Sequence, residues 1–123
     1  MDYGWQTVLG QTPSKANSYR VITINGHGSL GKTKALVSYE KDFYMQCGKY
    51  RNLGITSFFE YHCRVFYKTM SSDLDNHCKI VLDCLQKVGA ISNDNKCVKI
   101  VAEKFIDKVN PRIEFKLVTI EDL

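Results

Sequence analysis

A single α+β domain on the border of α/β, with a mixed β-sheet of about five to six strands covered by two helices, is the architecture this sequence predicts. Three observations carry it. Ser57 to Thr69 alternates apolar and polar residues, as a half-buried strand does. Tyr39, Phe43, Cys47 and Tyr50, and later Cys78, Val81, Leu82, Leu85 and Val88, recur at helical spacing. The other apolar runs are short and bounded by glycine, proline or asparagine, which marks strands and turns. The chain has 123 residues, 44% of them hydrophobic. That is material for one ordinary core, so residues 1–123 read as one domain.

Taken in order, Trp5 to Gly10 is a short opening strand, and Pro13 to Arg20 is a loop of turn formers. Val21 to Asn25 and Lys34 to Val37 are expected to pair as strands across the glycine-rich tip Gly26 to Thr33. Ser38 then caps a first helix that runs to Tyr50 and breaks at Asn52-Leu53-Gly54. In the strand Ser57 to Thr69, one face is Phe59, Tyr61, Cys63, Val65 and Tyr67. The second helix starts near Asp73 and ends near Gly89; His77, Ile80 and Cys84 fall off its apolar stripe, which makes an outward Ile80 a candidate dimer contact. Lys96 to Ile106 is a strand with Val98, Ile100, Ala102 and Ile106 on one face, together with Lys104. A turn at Asp107 to Pro111 leads to Arg112–Ile120, as a C-terminal hairpin.

The net charge of +4 permits a polyanionic partner without requiring one. No apolar run approaches the ~18 residues of a membrane span and no secretory signal pattern opens the chain, so the cytoplasm is the expected compartment. The cysteines at 47, 63, 78, 84 and 97 include no Cys-x-x-Cys pair. His77, Cys78, Cys84 and Cys97 make a weak zinc pattern, and reduced thiols serving as small apolar side chains are the better reading. Gly26 to Thr33 spells the P-loop pattern Gly-x-x-x-x-Gly-Lys-Thr, but a P-loop must open a helix at its Lys-Thr. With a returning strand expected at Lys34 to Val37, nucleotide binding is the minor alternative.

Chemistry concentrates at Ser72-Asp73-Leu74-Asp75-Asn76-His77-Cys78-Lys79. Asp75, Lys79 and Asp83 follow one another by four residues and rise along one side of the helix. Asp73 precedes Asp75 by two, so both carboxylates point the same way if the chain enters the helix extended. The ordinary account is a capping aspartate and an Asp75–Lys79 ion pair. The sharper one is an acidic cluster collecting a hard divalent cation, since Mg²⁺ takes a few carboxylates plus water and substrate phosphate.

Asp73-Leu74-Asp75-Asn76, followed by Lys79, Asp83, Leu85, Gly89 and the turn Asn93-Asp94, resembles the signature of the RusA-type Holliday junction resolvases. Pro13-Ser14, Asn17 and Arg20 are similar to a segment near the start of that family, with Thr12-Pro13 where a Pro-Pro pair is common. The resemblance runs over residues 73–120 and, in order, over 10–50. It implies a RusA-like fold and a Mg²⁺-dependent endodeoxyribonuclease, with Mn²⁺ as a substitute, that resolves four-way junctions in recombination and repair, as in phages and prophages.

It also implies the roles of particular residues. Asp73, Asp75 and Asp94 are the metal ligands and, with Lys79, the catalytic set; Asp83 is a further carboxylate. Asn76 is expected to hydrogen-bond an acid or the loop backbone. Lys15, Arg20, Lys68 and Lys104 are the expected DNA contacts, with Lys32, Lys34, Arg64 and Lys99 as additional basic candidates. A junction has two-fold symmetry and is cut on two strands, so one site per chain implies a homodimer. The rival class is a non-catalytic module that binds branched DNA or, through the P-loop-like tip, a nucleotide.

Overall fold

The computed structural model describes residues 1–14 and 18–121. Six strands and two helices follow in the order β1 (Gln6–Leu9), β2 (Tyr19–Ile24), β3 (His27–Lys32), α1 (Lys34–Gln46), β4 (Phe58–Tyr67), α2 (Leu74–Lys87), β5 (Cys97–Ile106) and β6 (Arg112–Ile120). The fold is the small α+β domain that the sequence predicts, but its strands divide into two sheets. One has four strands in the order β1–β6–β4–β5; the other is the hairpin β2–β3.

β4 is the centre of the main sheet because both its edges are used. Its alternation is realised residue for residue: Phe59, Tyr61, Cys63, Val65 and Tyr67 are buried, and the residues between them are half-buried. On the buried face, Phe115 of β6 stacks on Phe43 of α1 with ring centroids 5.8 Å apart and meets Tyr50 at 5.0 Å. The opposite face carries ions and rings. Arg64 lies 3.8 Å over Trp5, and Arg112 lies 3.7 Å over Phe66.

The expected C-terminal hairpin does not form. β5 pairs parallel to β4, and β6 pairs antiparallel to the other edge of β4, so β4 separates them. The reason lies in the connections. The crossover through α2 returns the chain parallel to β4. The turn after β5 then passes over the end of β4, where Asp107 N donates to Tyr67 O at 2.8 Å. β5 is left at the sheet edge. Ile100 and Ile106 on its expected inward face are therefore exposed, while Val98 and Ala102 are half-buried.

The first hairpin also differs from expectation. Asn25 and Gly26 both have positive φ, 51° and 80°, the two-residue turn that matches strand twist. It lets pairing begin at Ile24 with His27 and finish at Tyr19 with Lys32, so the glycine-rich tip is itself the return strand. Lys34 to Val37 is helix instead of strand. The cap is Thr33, not Ser38: its hydroxyl accepts from Leu36 N at 3.2 Å. The stripe Tyr39, Phe43, Cys47 and Tyr50 is buried as expected.

In α2 the buried face is wider than the expected stripe. Val81, Leu82, Leu85 and Val88 are buried as expected and are joined by His77, Ile80 and Cys84, whereas Cys78 is only half-buried. Ile80, 3% exposed, belongs to the core of its own chain and is no dimer contact. The histidine can join this face because its ring nitrogens find partners. His77 Nδ1 donates to Leu74 O at 2.5 Å, leaving Nε2 to accept from the Tyr61 hydroxyl at 3.1 Å or the Cys63 thiol at 3.2 Å. Burial holds its pKa below the ordinary imidazole value, which favours that neutral form. The helix ends at Gly89 (φ 76°), where an added Cβ would lie 3.0 Å from Asn52 Oδ1.

Candidate active site at the start of the second helix

Asp73 is the N-cap residue of α2, with extended backbone (φ −86°, ψ 134°), yet its side chain makes no capping bond. Its carbonyl accepts from the Tyr67 hydroxyl at 3.3 Å, which ties the helix start to the end of β4. Asp75 follows in the first turn. Both acids are exposed, and neither has an ion-pair partner among the described residues. Together they line a groove of about 720 Å³ floored by Leu74, Cys78, Ile100 and Ala102. The expected Asp75–Lys79 pair is absent from this arrangement. Lys79 reaches forward to Asp83 at 3.3 Å and across to Asp94 at 3.1 Å. Those two carboxylates, Asp94 foremost, raise the pKa of its ammonium.

Asp94 opens a single turn of 3-10 helix, Asp94–Lys96, capped by the Asn93 side chain, which accepts from Asn95 N at 3.0 Å. Asp94 N donates to Gln86 Oε1 at 3.1 Å. The bend is thereby fixed to α2, on the side of Lys79 and Asp83. Among the described residues, no three His, Cys, Asp or Glu side chains gather closely enough to hold a metal ion together. Neither the Asp73–Asp75–Asp94 triad nor a zinc site is drawn together here, and the five cysteines are free thiols. Asp73 and Asp75 nonetheless fit a magnesium ion by their chemistry. Such an ion takes one or two carboxylates and fills its other positions with water and phosphate oxygen.

The other predicted positions are placed as follows. Asn76 is half-buried, and its carboxamide has no hydrogen-bond partner among the described residues, so it supports neither an acid nor the loop backbone. Lys104 donates to the carbonyls of Met70 (2.8 Å) and Ser72, pinning the loop that leads into Asp73. Held this way, it is first a loop anchor rather than a free phosphate contact. Lys68 and Arg20 are exposed, and Lys15 lies outside the described residues. Lys32 pairs with Glu40 at 2.9 Å and Arg64 with Glu114 at 3.1 Å, so both are committed within the chain. Lys34 and Lys99 are exposed.

The P-loop reading loses its structural basis, although the helix does open directly after Thr33. Gly28 and Gly31 stand in an extended strand, opposite Thr23 and Arg20 in the β2–β3 ladder. A phosphate cradle needs those backbone N–H groups turned inward around an anion. Residues that sequence reasoning missed are Gln11, Thr69 and Ser71, which line a second cleft beside Asp73. The Thr-Met-Ser-Ser run before the acids was the available signal for two of them; Gln11 had none.

The start of α2 thus presents two carboxylates without ion-pair partners among the described residues, while Lys79 is paired with Asp83 and Asp94. The sequence pattern of the family described as Endodeoxyribonuclease RusA matches residues 12–118, which take in both helices and β2 to β5 entirely. The chain belongs to this endodeoxyribonuclease family. No curated protein matches the sequence. No described helix is long and apolar enough to cross a membrane.

Proposed function

We propose that the protein is a Mg²⁺-dependent, structure-selective endodeoxyribonuclease that resolves Holliday junctions by paired phosphodiester hydrolysis, with Mn²⁺ able to substitute. The observation that carries this is the unpaired acid pair Asp73 and Asp75 at the start of α2, with Lys79 one turn along, in a chain of the RusA family. A bound magnesium ion supplies a deprotonated water and neutralises charge on the phosphate. Asp73 and Asp75 would hold it. Asp94 is the third carboxylate of the set and is paired with Lys79 in this structure. The Lys79 ammonium would stabilise the negative charge of the transition state. Asp83 retains a partner for Lys79 and keeps it on this side of the helix.

Junction symmetry calls for a two-fold homodimer, one site per strand. DNA recombination and repair, in a phage or prophage setting, is the process such an enzyme serves, and the cytoplasm is where it works. The rival is a protein that binds branched DNA without cutting it, and the Asp94–Lys79 pair is the observation in its favour. Incubating the protein with a synthetic four-way junction or a linear duplex, with and without Mg²⁺, separates the two. Paired nicks in the junction alone, and only with metal, are expected. Asp75→Asn should lower cleavage by on the order of 10²-fold or more while junction binding persists. Full cutting by that variant would sink the assignment.

A further inference from the structure

A second cleft shares Asp73 with the acidic groove, and the rest of its lining is given no part in the metal-binding chemistry. It encloses about 670 Å³, inside the roughly 300–1,000 Å³ of small-ligand sites. The segment after β1, the first turn of α1 and the loop 68–73 form its walls, and Asn76 closes it on the α2 side. Two carboxamides face it with hydrogen-bonding capacity unspent. Gln11 Oε1 accepts from Lys68 N at 2.8 Å, which orients the side chain and leaves its amide N–H groups without a partner among the described residues. The Asn76 side chain likewise has no hydrogen-bond partner among the described residues. Pro13 and Ala35 add small apolar surface, and Lys68 places a cation at the rim.

Carboxamides are the side chains that read base edges, a cation suits a phosphate, and small apolar surfaces suit the face of a base. Asp73 lines both this cleft and the acidic groove. A nucleotide lodged here is therefore next to the phosphate being cut. We infer that the cleft receives one unstacked nucleotide of the DNA beside the scissile phosphate, and that Gln11 and Asn76 read its base. The inference rests on the nuclease reading of the acid pair. It also supplies a physical source of structure selectivity. A base must leave its stack to enter, which costs most in a continuous duplex and least where pairing is already broken.

The test uses four-way junctions that differ only in the nucleotide flanking the cut, with Mg²⁺ and single-turnover rates. The wild type should prefer one base over the worst by about tenfold, the discrimination of a good edge contact. Gln11→Ala should flatten that ratio. Gln11→Glu keeps the acceptor for Lys68 N and replaces the amide donor with an acceptor, so the favoured base should change. Identical base rankings and ratios in the wild type and both variants would overturn the cleft assignment while leaving the nuclease intact. If the wild type cuts no DNA, the nuclease reading fails separately. The cleft is then judged by 2-aminopurine at the flanking position. Brightening on binding that Gln11→Ala removes supports it, and an unchanged signal in that variant rejects it.

Discussion

Lys79 shows how one side chain can join two segments distant in sequence. It lies on the exposed side of α2, yet it reaches Asp94, 15 residues away, and together with the Gln86 contact ties the helix to that bend. Sequence spacing alone made Asp75 an equal claimant, and the choice fell to the folded arrangement of the bend. Asp107 performs a comparable task in the turn before β6. Its carboxylate accepts from Asn110 N at 2.9 Å, from Val109 N at 3.1 Å and from Arg112 Nη1 at 2.9 Å. The Asn110 bond first, then Arg112, holds its pKa below the ordinary 3.8. A depressed carboxylate stabilises the fold above its unfolded value, and that contribution disappears as pH falls through the folded value. Asp107→Asn should therefore flatten the decline of stability below about pH 4, read by denaturant titration across acidic pH.

The helix starts are where local chemistry decided more than periodicity. Thr33 begins α1 five residues before the cap expected at Ser38, because its hydroxyl satisfies Leu36 N and the hairpin has already consumed the preceding glycines. Thr33→Ala should cost about 1 kcal/mol, measured as a shifted urea midpoint with unchanged slope. In α2 the cap position goes to Asp73 without a capping bond, so the carboxylate stays available for other chemistry. The buried face is wider than the apolar stripe partly because of His77, which counts as polar in any hydropathy pattern but is 1% exposed once both ring nitrogens are satisfied.

For the molecule as a whole, one aromatic cluster joins sheet and helix. Phe115 touches the rings of Phe43, Tyr50 and Tyr61 and is fully buried. Phe115→Ala should destabilise the protein by about 3–5 kcal/mol, enough to lower the thermal midpoint sharply in calorimetry. The proposed two-fold mechanism concerns the assembly. Sedimentation equilibrium should give twice the 14.1 kDa of one chain, and a monomer at concentrations that support paired nicking would rule out the symmetric scheme.

Periods of two and of three to four made β4, α2 and most of α1 legible in the amino-acid sequence, because those patterns depend on neighbours only a few positions away. The placement of Asp73, Asp75 and Lys79 at the start of α2 was legible for the same reason, as residues of one short segment. Partner choices across long separations were not. Nothing near Gln11 announces that it will meet Lys68, 57 residues on, and nothing in β5 or β6 says that β4 will lie between them. Such outcomes follow from competition among distant surfaces for the same edge or the same hydrogen bond, a contest settled only when the whole chain packs at once.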